Sequence, residues 1–423
     1  MGSLSLKDRR LGRVEEAFAS LPSRYLGARA GFRATYQVRL GDVGRIWEVR
    51  IRGERCDVRP SPVGDPDVII GTDAATWLAL RDGRLSGLDA FAQRRLYARG
   101  DLDLALGFEG LFRLSGGRPP LLRVTEVETP RATISSLIGG HGPEQVICLH
   151  GLGSNKTSFF ETVSALTPEH TVHAIDLPGF GSSSKPARAA YDARYFARAT
   201  LDYMEAMSIE RGHLVGNSMG GRIALEVAMT DPDRVDSLSL LSPALAFLRR
   251  RELVPLVKLI RPELAAIPHA LRAARVREHF WNLFARPERL DPAAADIAAD
   301  EFCRTYRSRS ARIAFFAAAR NIYLDAPHGE RGLWTRLRGL RPPALFIWGD
   351  SDRIVPASFS RHVADALPHA GCVVLPECGH VPQVELPERA NRLIRAHIEE
   401  HRGSASRARS GFPPATQLAE AGA

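Results

Sequence analysis

The residues best placed to do chemistry are Gly216-Asn217-Ser218-Met219-Gly220-Gly221, directly after the strand-like His213-Leu214-Val215. A strand that turns abruptly into a helix crowds the backbone around the serine, so only glycine fits on either side. The turn projects the hydroxyl off the strand end, and the first N–H groups of the new helix face developing negative charge. The chemistry is attack by Ser218 on a carbonyl. Serine is a poor nucleophile unless a base takes its proton and a third group holds that base. Downstream, Leu345-Phe346-Ile347-Trp348 reads as a strand leading into Gly349-Asp350-Ser351-Asp352, and Val373-Val374-Leu375 leads into Cys378-Gly379-His380. Each puts a polar group just past the C-terminal end of a strand, where ligands gather in open α/β sheets. Asp350 and Asp352 both qualify as the acid. The order serine, acid, histidine is unlike that of chymotrypsin or subtilisin.

Upstream, His150-Gly151-Leu152-Gly153 follows the strand that ends at Leu149. The backbone can approach a carbonyl oxygen here, and the N–H of Leu152 would pair with that of Met219 as an oxyanion hole. One such donor contributes about 3 kcal/mol in the transition state. His150 beside the site and His213 ahead of a strand read as structural, and the cysteines near His380 as packing.

These groups need strands to carry them. After Leu121 short apolar runs bounded by turn residues alternate with helical stretches: Val146 to Leu149, Val172 to Ile175, Gly212 to Val215, Ser237 to Leu241, Ala344 to Trp348 and Cys372 to Leu375. That pattern predicts a parallel sheet covered on both faces. The interval between Ser218 and Asp352 exceeds what one strand and two helices need. Its excess, about 245–333, reads as helical, with Leu253, Val257, Leu259, Leu264, Phe280, Trp281, Phe284, Ile313, Phe315, Phe316 and Ile322 as apolar positions.

The first part of the chain is patterned differently. Trp47, Val49 and Ile51 alternate with Glu48, Arg50 and Arg52, as do Tyr36, Val38 and Leu40 with their neighbours, and Gly41 to Gly44 supplies a hairpin turn. A third strand is predicted at Val68 to Ile70. A helix starts near Asp73 and stops by Gly83, a second carries Leu88 and Phe91, and a third carries Leu102, Ala105, Phe108 and Phe112. Strands followed by helices predict an α+β unit over 1–117, separated by the linker Ser115 to Pro120 from a unit over 118–402. Residues 403–423, rich in Ser, Arg, Pro and Ala without periodicity, are expected to be disordered.

Composition narrows the function classes. The 423 residues are 44% hydrophobic and 25% charged, which suits a globular chain with more than one core. No apolar run reaches the length of a membrane span. Met1 to Arg13 has no apolar leader core, so the expected location is cytoplasmic. The net charge is +9, but the base is almost all arginine spread along the chain, with lysine only at 7, 156, 185 and 258. No basic motif with interleaved aromatics occurs, so no nucleic-acid partner is expected. Five scattered cysteines predict reduced thiols, with no disulfide framework and no metal-like pair.

From about Leu121 to Arg402 the chain resembles the α/β-hydrolase family. The resemblance is carried by His150-Gly151, Asp176-Leu-Pro-Gly-Phe-Gly181, the turn at Ser218, the Asp352 loop and the Gly379-His380 loop. It implies Ser218 as nucleophile, His380 as general acid and base, Asp352 as orienting acid, and the insertion as a cap roofing the substrate pocket. Gly-Asn-Ser-Met-Gly-Gly also occurs in family members that hydrolyse carbon–carbon bonds of ring-cleavage products, but those often carry Trp after the histidine, where this chain has Val381.

Residues 10–115 resemble the sterol-carrier-protein lipid-binding family. The resemblance rests on Pro66-Asp67-Val68-Ile69-Ile70-Gly71, Leu80-Arg-Asp-Gly83-Arg-Leu85, Ala90-Phe91, and Leu96 to Asp101 running on to Phe112. It departs at Arg94-Arg95, where the family usually has Gly-Lys. It implies a sheet and helices around an apolar tunnel for acyl chains or sterols; the alternative is a domain kept for dimerisation or stability, its tunnel filled by side chains.

The expectation is therefore an α/β-hydrolase fold behind a smaller α+β sterol-carrier-like domain. Its activity is hydrolysis of a hydrophobic, lipid-derived carboxylic ester, with no metal or organic cofactor required. The alternatives are a carbon–carbon bond hydrolase and a lipid carrier with a non-catalytic hydrolase module.

Overall fold

The computed structural model describes residues 6–61, 64–167, 169–246, 254–259, 261–263, 272–290 and 292–402. The tail 403–423 and the cap residues Leu253 and Leu264 lie outside the described residues.

The first sheet has five strands, β1 (Arg33–Leu40), β2 (Arg45–Arg52), β3 (Arg55–Arg59), β4 (Val68–Thr72) and β5 (Leu96–Gly100), in the order β3-β2-β1-β4-β5. β1 and β4 run parallel and the other neighbours antiparallel. The alternating residues of β1 and β2 send Tyr36, Val38, Trp47, Val49 and Ile51 into a core with Phe18, Trp77, Phe108 and Phe112. Phe18 is stacked between Trp47 and Trp77, with ring centroids 4.2 and 4.6 Å away. The helix at Ala74–Arg81 starts where expected, because the Asp73 carboxylate accepts the Thr76 N–H at 2.8 Å.

Three expectations change here. Glu48, on the face expected to meet solvent, is buried and held by Arg50 at 2.7 Å. The stretch from Leu102 to Phe112 is a short helix, Leu102–Gly107, then a single 3-10 turn, Glu109–Leu111. Gly110 lies against the backbone of Arg123, where a Cβ would come within 2.8 Å of its Cα, and that contact sets the path of the chain. The arginine-rich β3 and the amphipathic helix Leu6–Ala19 were not foreseen, because charged side chains hide their periodicity.

The second sheet has eight strands: β6 (Leu122–Glu128), β7 (Thr133–Gly139), β8 (Glu144–Leu149), β9 (His170–Ile175), β10 (Gly212–Asn217), β11 (Val235–Leu241), β12 (Ala344–Gly349) and β13 (Gly371–Leu375). Their order is β13-β12-β11-β10-β8-β9-β7-β6. The six strands read from sequence form the parallel part, and β6 and β7 add an antiparallel edge. β8, β10 and β11 are buried almost throughout, which suits strands covered on both faces, and their few polar members, such as His213 and Ser237, bond one another inside the sheet.

Between β11 and β12 the described part of the insertion is helical at Val254–Leu259, Ala273–Trp281, Pro292–Tyr306 and Arg309–Leu324. Phe284 is buried, whereas Leu259 is 77% exposed. Among the described residues no helix is long and apolar enough to cross a membrane.

The two sheets are tied together through the helices after β4 and β5. Leu88 is buried in a cluster with Leu122, Val163 and Leu166 of the second unit. Asp89 bonds Ser164, and Asp103 bonds Ser182 and Lys156.

Candidate active site

Ser218 stands at the junction of β10 and the helix Met219–Thr230. Its backbone is left-handed, φ 54° and ψ −115°, a conformation that costs a non-glycine residue about 1–3 kcal/mol. Surrounding hydrogen bonds hold it there. Its N–H donates to the Leu241 carbonyl at 2.9 Å, and its own carbonyl accepts from Ala244 at 2.8 Å and Arg222 at 3.2 Å. The flanking glycines have steric reasons. A Cβ on Gly216 would sit 2.5 Å from the Gly220 carbonyl oxygen, and one on Gly220 would overlap the Leu149 carbonyl oxygen. The first N–H groups of the new helix have no acceptor within it.

The turn after β8 closes on the serine from the other side. A Cβ on Gly151 would be 3.3 Å from Ser218 Cβ, and Leu152 lines the same cavity as Ser218. His150 is fully committed to this turn. Its Nε2 accepts the Leu177 N–H at 3.0 Å, and its Nδ1 lies 2.8 Å from the Gly151 carbonyl, to which it donates. Burial lowers its pKa. Both ring nitrogens are engaged by the backbone, so His150 is a brace of the turn. His213 likewise bonds Ser237 at 2.8 Å inside the sheet.

The loops after β12 and β13 bring Asp352 and His380 together. His380 Nδ1 lies 2.8 Å from Asp352 Oδ2, and both side chains are buried. The other oxygen, Oδ1, accepts the N–H groups of Ile354 at 2.8 Å and Val355 at 2.9 Å, so the carboxylate is fixed in orientation. Asp350 is exposed and accepts from Ser351 at 2.8 Å, turned to other work. Asn217 Nδ2 donates to the His380 carbonyl at 3.1 Å, linking the histidine loop to the residue beside Ser218. Ser218, His380 and Leu152 line one cavity, and Met219 is buried beneath it. Cys378 is buried and its thiol is pushed up to about 12 by that burial, so it is no nucleophile.

Two buried groups brace the site in roles that sequence reasoning did not read: Glu385, which it missed, and Asp176, which it quoted only as part of a motif. Glu385 accepts the N–H of Gly379 and of Arg286, both at 2.6 Å, and so clamps the histidine loop to the cap. His380 N–H also donates to the cap carbonyl of Leu283 at 2.7 Å. A glutamate five residues past the histidine, closing the short helix Pro382–Glu385, is the trace of this in sequence. Asp176, at the end of β9, accepts from Lys156 Nζ and from the Lys156 and Ser182 amides at 2.7, 2.7 and 2.8 Å. Gly181 is required here, since a Cβ would overlap that carboxylate and φ is 47°. Burial alone would lower the Lys156 ammonium, but Asp176 and Asp103 outweigh it and hold its pKa above the usual value.

The cap forms the roof. Phe302 and Phe315 press on Gly153 beside the proposed oxyanion turn, and Phe302 stacks on Tyr306 at 5.3 Å. Of the aromatic positions singled out from sequence, Phe280, Phe284 and Phe315 line the cavity.

Comparison with known proteins identifies the families of both units. Residues 145–387 match the alpha/beta hydrolase fold family, and residues 14–113 match the SCP-2 sterol transfer family. The dihydrolipoyllysine-residue acetyltransferase component of an acetoin cleaving system from Pseudomonas putida is 32% identical over 329 residues, covering 75% of this chain and 77% of that protein. A 2-hydroxymuconate semialdehyde hydrolase from Pseudomonas putida is 29% identical over 266 residues, covering 62% and 86%. The crystal structure of a bacterial membrane phospholipase A superposes with a TM-score of 0.56 at 29% identity, covering 67% of this chain and 87% of that one.

Proposed function

This chain belongs to the α/β-hydrolase fold family, and from that premise we propose that it cleaves a carboxylic ester of a hydrophobic, lipid-derived acid or alcohol through an acyl-enzyme on Ser218. The observation that carries the reading is the buried Asp352–His380 pair, with Nδ1 to Oδ2 at 2.8 Å, in the cavity that Ser218 also lines.

With Nδ1 held by Asp352, the histidine keeps Nε2 free to take the Ser218 proton. The Ser218 oxygen then bonds to the ester carbonyl carbon, and the carbonyl oxygen gains the negative charge. The N–H groups of Leu152 and Met219 receive that charge. Collapse breaks the bond to the alcohol oxygen, which leaves with the proton from His380. A water then gives its proton to His380 and attacks the acyl carbon, releasing the acid and restoring Ser218. Asp352 stabilises the imidazolium in both halves and is not itself protonated. The apolar cap excludes competing water while the first half proceeds.

A second reading is carbon–carbon bond hydrolysis. It is favoured by Gly216-Asn217-Ser218-Met219-Gly220-Gly221 together with the similarity to a 2-hydroxymuconate semialdehyde hydrolase. Val381 after the histidine counts against it. The test is labelling of the full chain with a fluorophosphonate probe, followed by turnover of a matched ester, thioester and vinylogous diketone. A Ser218 adduct with ester turnover supports the main reading. A Ser218 adduct with diketone turnover alone selects the second. No adduct on the folded protein leaves only the non-catalytic carrier.

A further inference from the structure

The cavity above Ser218 does not end at the hydrolase unit. It has a volume of about 1150 Å³, and its lining includes Ser218 and His380, the edge-strand residue Ala98, and Trp77, Phe108 and Phe112 from the core of the first unit. Sites for drug-sized ligands span roughly 300–1,000 Å³, so this space exceeds what a short ester requires. Leu102 and Leu106, on the helix Leu102–Gly107, also line it. That helix is the one whose Asp103 is locked to the buried Lys156 at 2.7 Å, so the passage lies beside a fixed inter-unit contact. Large apolar residues that stay exposed mark its rim: Phe91 of the first unit at 39%, Ile297 of the cap at 37% and Ile354 of the Asp352 loop at 48%. One apolar volume with an apolar rim contributed by three separate regions suits a single elongated ligand better than two small ones.

We propose that one substrate molecule occupies both units at once, with its ester carbonyl at Ser218 and its long acyl or alkyl chain running into the sterol-carrier-like domain. That domain is then the chain-binding half of this enzyme's own active site, and the substrate class is a long-chain ester. This rests on the serine-hydrolase reading above. Each methylene that enters the passage raises kcat/KM by about fourfold, the ratio corresponding to about 0.8 kcal/mol per buried CH₂, until the passage is full.

The test uses the full chain and a fluorophosphonate bearing a hexadecyl chain with a terminal diazirine. After reaction, irradiation and peptide mapping, the expected cross-link lies in the segment 77–112. Labelling of Ser218 with the cross-link confined to the cap would overturn this proposal while leaving the hydrolase reading intact. No label on Ser218 would sink both. The second arm is Ala98→Trp, with Ala105→Trp as its partner should the first not fold, folding being judged by circular dichroism. Either is expected to lower the hexadecanoyl-to-acetyl ratio of kcat/KM for p-nitrophenyl esters at least tenfold. An unchanged ratio in a folded variant would overturn the proposal, as would a wild-type rate that does not rise with chain length.

Discussion

Asp352 shows how little freedom a single side chain has at this site. One oxygen holds His380 at 2.8 Å, and the other accepts two backbone N–H groups. In Asp352→Asn the amide oxygen stays with the Ile354 and Val355 N–H groups, so the NH₂ faces His380 Nδ1. That forces the tautomer that cannot accept the Ser218 proton. The expected result is a loss of about 10⁴ in kcat with little change in melting temperature, measured on a matched ester. Ser218→Ala should cost at least as much and abolish fluorophosphonate labelling. Both residues, with His380, were legible in sequence as candidates because each sits in a short motif at a strand end. Position at the strand end leaves Asp350 and Asp352 both open, and the family resemblance points to Asp352; in the structure Asp352 Oδ2 lies 2.8 Å from His380 Nδ1.

At the scale of elements, buried charge does what the apolar pattern cannot report. Lys156 opens the turn before the helix Phe160–Leu166 and is 1% exposed, yet it carries a full charge between Asp176 and Asp103. Lys156→Met leaves Asp176 buried without its cation. The expected cost is about 3–5 kcal/mol, read by chemical denaturation. The 3-10 turn Glu109–Leu111 carries a second buried charge group. Burial raises the Glu109 carboxyl to about 7, despite the N–H groups of Gly87 and Leu122 that favour its ionised form. Between about pH 4.5 and 7 the folded chain keeps a proton that the unfolded chain has released. Stability is therefore highest below that window and falls as pH rises through it, by up to about 3 kcal/mol. Glu109→Gln should flatten this slope, and melting temperatures at pH 5 and pH 8 check it.

Across the whole molecule, the two units share a core boundary. Leu88 belongs by sequence to the first unit but is buried among Leu122, Val163 and Leu166 of the second. Its removal opens a cavity at that seam. Leu88→Ala should destabilise by about 2–5 kcal/mol and split a joint calorimetric transition into two, with the first unit melting earlier. Two transitions already present in the wild type would show that the seam carries no coupling. The same seam borders the passage through which the active-site cavity reaches the first unit, so loosening it should also weaken any preference for long chains.

The sequence by itself determined the hydrolase family and the two architectures. Strand periods, turn glycines and short motifs are local properties, and each is set by sterics within a few residues. Thus the parallel strands, the turn at Ser218 and the helix capped by Asp73 could all be read directly. The edge strands β3 and β6 could not, because charged side chains break their alternation; nor could β7, whose buried Ser135 and Ser136 interrupt the apolar run, or the bent segment at Gly110, which a distant backbone contact sets. What only the tertiary structure decided was proximity between distant parts of the chain. Asp352 meets His380, Glu385 clamps the cap to the histidine loop, and Lys156 finds Asp103 across the seam. The cavity that runs from Ser218 to Phe112 is of the same kind. Its walls come from segments far apart in sequence, and an enclosed volume has no local signature for a sequence to display.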